Sequence, residues 1–174
     1  MNTSFSSSSV PSGPTISTGS TGHQALALVG WLALCFAASA SAVFVSTDGW
    51  FAQLNKPSWN PPSWVFGPVW TLLYLMMAVA AWLVWREGGW QRQKLALVLF
   101  VIQWGFNALW TPLFFGLHLT GLALADITIL WLVLLITVKA FWQVRPLAGA
   151  LLVPYLAWVS FATVLNFAIW RLNG

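Results

Sequence analysis

Charge is almost absent from five long stretches of this chain, and that absence decides what it can fold into. The 174 residues carry seven Lys or Arg and three Asp or Glu. All of these but Asp126 fall between or beyond apolar runs at residues 25–45, 64–85, 95–117, 119–138 and 147–170. Each run is close to the ~20 residues that carry a helix across hydrocarbon. A transmembrane barrel would alternate polar and apolar positions, and no such alternation is present. The expectation is an all-α membrane protein, a multi-pass five-transmembrane-helix bundle over residues 25–174. Residues 1–24 are rich in Ser, Thr, Gly and Pro and carry no charge, so they read as a disordered tail.

Orientation follows from the basic residues. With five spans, the N-terminus and the second and fourth loops share one side, which collects Arg86, Arg92, Lys94, Lys139 and Arg145; Lys56 and Arg171 lie on the other. The excess places the N-terminus in the cytoplasm and the first loop outside. The net charge of +4 is thereby explained by topology and lipid headgroups, without nucleic acid as a partner. A basic leader and a transit peptide are both missing, so a bacterial cell membrane is the expected location. A lone Cys35 excludes an internal disulfide and a multi-cysteine metal site.

The first loop is no plain connector. From Trp50 to Trp70 the chain reads WFAQLNKPSWNPPSWVFGPVW, with four tryptophans and four prolines. Proline stiffens a loop, and an indole offers a flat apolar face with one N–H donor. Trp31, Trp82, Trp85, Trp90, Trp142 and Trp170 lie near span ends, where an aromatic belt is expected. Trp70, Trp110 and Trp158 lie deeper. Gln103 and Asn107 share one face of the third span, and Trp158, Ala162 and Asn166 share one face of the last. Asp126 is seven residues into its span, roughly 10 Å deep, and a lone intramembrane carboxylate is a functional candidate. Pro68, Pro112 and Pro154 each fall inside a span and are expected to bend it. Together these groups outline an outward-opening pocket in the outer half, lidded by residues 50–62.

The segments WFAQLNKPSWNPP, SWVFGPVWTLLY, QWGFNALWTPLFFG, ALADI and VPYLAWVSFATVLNFAIWR, taken in order, resemble the TspO/MBR family. These are the tryptophan-rich sensory proteins of bacteria and the mitochondrial translocator protein, once called the peripheral benzodiazepine receptor. The resemblance implies a homodimer of five-helix bundles that binds porphyrins such as protoporphyrin beneath the first loop. It implies ligand contacts from Trp50, Phe51, Trp59, Pro61, Trp70, Tyr74, Asn107, Trp110, Trp158, Ala162 and Asn166, to which the depth argument adds Asp126. Phe51 stands where relatives often carry tyrosine. The segment from Leu165 to Arg171 resembles the family's sterol-recognition motif, with Phe167 in place of its tyrosine, so a sterol is a further candidate ligand.

A porphyrin disc stacks on indoles, while its propionates seek N–H donors or the cations Lys56 and Arg171. No Cys or His faces the pocket, so no metal ligation and no cofactor are expected; the porphyrin is the ligand. Three function classes follow: a sensor or carrier of porphyrins, a light-dependent porphyrin-degrading activity with Trp70 and Trp158 as its indoles, and a lipid or sterol transporter. With no acid–base pair or nucleophile, ordinary catalysis is not expected. Small residues at Ala33, Ala37 and Ser41, and at Ala38 and Ala42, give the first span a face for close helix approach.

Overall fold

The computed structural model describes residues 21–40 and 49–174. Helix α1 spans Thr21–Ala37 and a short α2 spans Trp50–Gln53. A 3₁₀ turn at Ser63–Val65 leads into α3, Phe66–Trp85. Helix α4, Gly89–Thr111, continues into a π turn at Pro112–Gly116. Helices α5, Thr120–Val144, and α6, Pro146–Asn173, complete an all-α bundle. The segments Ser63–Trp85, Gly89–Gly116, Thr120–Val144 and Pro146–Asn173 are each long and apolar enough to cross a bilayer.

Helix boundaries differ from the apolar runs in an instructive way. Helix α4 begins before Lys94 and α5 continues through Lys139, because long basic side chains favour helix and carry their charge out to the interface. Residues 21–24, inside the segment expected to be tail, are helical as part of α1. The expected tail before residue 21, and residues 41–45 of the first run, lie outside the described residues.

Helices α3, α4, α5 and α6 close into a ring, each packed on the next and α6 returning to α3, while α1 lies against α3. Trp82 of α3 ties α1 down by donating from Nε1 to the Gln24 carbonyl at 3.0 Å. Trp31 does not belong to an interfacial belt: it is buried and meets Phe100 of α4 edge-on, with centroids 5.6 Å apart. Trp90 and Trp142 are exposed near helix ends. Of the small residues in α1 and just beyond it, Ala38 turns into the bundle, Ala33 and Ala37 face outward, and Ser41 and Ala42 lie outside the described residues.

Two close-packed turns join helices at the end opposite α2. Gly88 adopts φ +123°, and a Cβ there would lie 2.5 Å from Arg92 Cδ. Gly149 seats the start of α6 against α5, where a Cβ would come within 2.8 Å of the Trp142 Cα. Arg145 and Glu87 link the two turns at 3.3 Å; so exposed a pair contributes under about 1 kcal/mol.

The three prolines sit at different places along their helices. Pro68 lies in the first turn of α3, where the backbone N–H that proline lacks has no partner within the helix. Pro112 opens the π turn and Pro154 sits within α6. A further irregularity comes without proline, at Gln93, whose φ −110° and ψ 25° interrupt α4.

Candidate functional site

The helices part at the α2 end around a cavity of about 470 Å³, within the range of small-molecule sites. Its wall follows helical spacing. Phe66, Trp70 and Tyr74 project from one face of α3, Asn107, Trp110 and Thr111 from α4, and Trp158 and Ala162 from α6. Phe36 of α1, Phe51 of α2, and Ile127 and Leu130 of α5 complete much of the enclosure. Among the described residues, none of the side chains lining it is charged.

The rings pack on one another. Trp70 lies 5.3 Å from Tyr74, and Trp158 meets Phe66 edge-on at 5.8 Å. Trp110 stacks on Phe114 at 5.0 Å, and Phe51 meets Phe115 at 5.4 Å. Polar groups fix the orientations. Tyr74 donates from its hydroxyl to Asn107 Oδ1 at 3.2 Å, linking α3 to α4. Trp110 donates from Nε1 to Asn166 Oδ1 at 3.0 Å, and Asn166 donates from Nδ2 to the Thr120 carbonyl at 2.9 Å. By contrast, Trp158 Nε1 is buried with no hydrogen-bond partner.

Of the residues implicated by sequence, Phe51, Trp70, Tyr74, Asn107, Trp110, Trp158 and Ala162 line this cavity, and five others do not. Asn166 is buried behind Trp110 as its hydrogen-bond support. Asp126 is buried at 5% exposure, with both carboxylate oxygens unpartnered, in the α5 turn beside the wall residue Ile127. Gln103 is fully buried and also unpartnered. Trp59 is 46% exposed and touches Phe161 edge-on. Pro61 lines a second cavity of about 300 Å³ with Lys56, Asn60 and Pro62.

Trp50 packs beside the cavity and does not line it. Its indole stacks on the His118 imidazole at 4.1 Å with planes 15° apart. His118 holds a left-handed backbone, φ 58°, a conformation unfavourable for a non-glycine residue, and the stack secures it between the π turn and α5. The position of His118 in a tight loop suggests a helix-end or headgroup role and gives no hint of this partner. A second anchor is equally hidden. Asn173 at the end of α6 accepts from the Asn55 backbone N–H and donates to the Asn55 carbonyl, both at 2.9 Å. Neither contact has a local sequence signal, since each joins distant parts of the chain.

Lys56 is drawn inward as well. Its ammonium donates to the carbonyls of Phe51, Leu54 and Ala52 at 2.6, 3.1 and 3.2 Å and lies 4.8 Å from the Phe51 ring centroid. In the sterol-like segment, Phe167 and Arg171 share the exposed face of α6 while Leu165 points into a small core with Leu113, Phe114, Ala123 and Ile169. The three do not form one surface.

The family model described as TspO/MBR matches residues 26–171. A tryptophan-rich sensory protein of Cereibacter sphaeroides is 45% identical over 144 residues, covering 82% of this chain and 89% of the relative. The translocator protein of Homo sapiens is 45% identical over 143 residues, covering 80% and 83%. A tryptophan-rich protein TspO of Chlorobaculum tepidum is 43% identical over 155 residues, covering 86% and 98%.

Proposed function

The chain belongs to the TspO/MBR family, and from that premise we propose that it is an integral membrane protein that binds porphyrins and acts as their sensor or carrier. One observation carries this reading: three indoles, Trp70, Trp110 and Trp158, line a single cavity of about 470 Å³ whose described lining residues carry no charge. A planar π-system gains from stacked or edge-on aromatic neighbours beyond simple burial. The relatives' names, sensory protein and translocator protein, are consistent with detection or carriage. We place the protein in a bacterial cell membrane, supported by the bacterial relatives. Its N-terminus faces the cytoplasm, because Arg86, Arg92, Lys94, Lys139 and Arg145 gather at the end opposite α2.

The test is titration of the detergent-solubilised protein with protoporphyrin in the dark, read by tryptophan fluorescence. Saturable quenching is expected; its absence overturns the reading. A second reading, light-dependent oxidative breakdown of the pigment with dissolved oxygen as oxidant, is favoured by Trp70 and Trp158 lining the same cavity. Under illumination that reading requires pigment bleaching that disappears in the Trp70→Phe, Trp158→Phe double variant while dark binding persists.

A further inference from the structure

We propose that the smaller cavity is the subsite for an acidic tail, with Lys56 supplying the counter-charge to a carboxylate whose aromatic body occupies the larger cavity. The proposal rests on the reading above that the ligand is a flat aromatic acid. The large cavity offers the aromatic wall that would take the body, and among the described residues none of the side chains lining it is charged to neutralise the tail. A carboxylate buried without a partner is strongly unfavourable. The two cavities share Phe51 and Ser63 as common wall, and the smaller one contains Lys56. Arg171, the other cation at this end of the bundle, is exposed on α6 and lines neither.

The state of Lys56 suits the role. Lys56 is half-buried, and its ammonium is bonded to three backbone carbonyls. Those acceptors are neutral, so they orient the ammonium and leave its charge uncompensated. No carboxylate among the described residues pairs with it. A tail that displaced the longest of these bonds, 3.2 Å to Ala52, would replace a neutral acceptor with a charged one, the stronger kind of hydrogen bond. Asn60 of the same cavity keeps a buried Oδ1 with no partner, a polar group still to be satisfied by whatever enters. Ser63, in the shared wall, offers a hydroxyl where the tail would pass.

Two ligand pairs test this in detergent free of phospholipid: protoporphyrin with its dimethyl ester, and 1-pyrenebutyric acid with its methyl ester. The wild type is expected to prefer each acid to its ester. Lys56→Met is expected to weaken acid binding about tenfold and leave the esters within about twofold, the scale of one charge-assisted hydrogen bond. Lys56→Arg is expected to keep the preference. Equal losses for acid and ester in Lys56→Met would assign Lys56 to loop folding and overturn the subsite, as would no loss at all. A Lys56 dependence that appears only when anionic phospholipid is added would move the contact to a headgroup and likewise overturn the subsite. Failure of both porphyrins to bind, with pyrenebutyrate still preferred through Lys56, would remove the tetrapyrrole and uphold the subsite.

Discussion

The two ends of the bundle are built from the same helices and solve opposite problems. At the end with the short turns, Ala78, Ala80 and Ala81 of α3, Leu97 and Phe100 of α4, Leu134 and Phe141 of α5, and Ala148 and Leu152 of α6 are all fully buried. Small residues let helix backbones approach, and tight van der Waals packing drives association where hydrocarbon surrounds the helices. At the α2 end, indoles and phenyl rings line the cavity instead. One end is filled by its own side chains, and the other keeps a cavity walled by aromatic rings. Stability is therefore expected to depend on the first end and affinity on the second.

The largest effect should come from hollowing the packed end. Phe100 meets Trp31 edge-on at 5.6 Å and Phe141 face-to-face at 5.7 Å. Phe100→Ala is expected to cost about 3 kcal/mol, the low end for such a truncation because unfolded helices would still lie in hydrocarbon. Thermal unfolding in detergent measures this. An unchanged melting temperature would mean that the packed end does not hold the bundle together.

Truncation at the open end should invert the pattern. Trp158 lines the cavity and meets Phe66 and Phe161. Trp158→Ala is expected to weaken protoporphyrin about tenfold, an aromatic contact plus lost burial, with a smaller loss of melting temperature than Phe100→Ala. If the two variants behaved alike in both assays, the division of labour between the ends would be wrong.

Much of this division was legible in the sequence, for a physical reason. Scarcity of charge locates spans whatever their neighbours are, and residues four apart on a helix share a face. That is why Trp158 and Ala162 reach one cavity from spacing, whereas Tyr74, a turn along from Trp70, is implied by the family resemblance alone. Depth says nothing about rotation, however, and each residue turns the helix by about 100°. Asp126 and the wall residue Ile127 differ by that one step, so the expected site included a carboxylate that lies beside the cavity. The lid's fastenings were beyond reach altogether, because Trp50 with His118 and Asn55 with Asn173 pair across long separations.

One of those fastenings gives a smaller effect on the open end. Asn173 grips the peptide group of Asn55 through both atoms of its amide, close to Lys56 and its carbonyls. The bonds are exposed, so Asn173→Ala should leave the melting temperature nearly unchanged. Each net hydrogen bond is worth about 1 kcal/mol or less, and a loosened lid is expected to raise the porphyrin dissociation rate about threefold in stopped-flow displacement. A rate equal to wild type would show that the ligand leaves by a route the loop does not guard.

The smallest effect on affinity is expected at Asp126, the most conspicuous residue of the apolar runs. Its carboxylate is buried, both oxygens lack partners, and the side chain does not line the cavity. Replacing an unsatisfied buried polar group with an apolar one of similar size is often neutral or stabilising. Asp126→Leu should therefore leave protoporphyrin affinity within about twofold and hold or raise stability by about 1 kcal/mol. A collapse of binding with the fold intact would place the carboxylate against the ligand and redraw the cavity wall along α5. A collapse of both would mean that the oxygens meet a partner in the membrane, making this side chain part of the packing that separates the two ends.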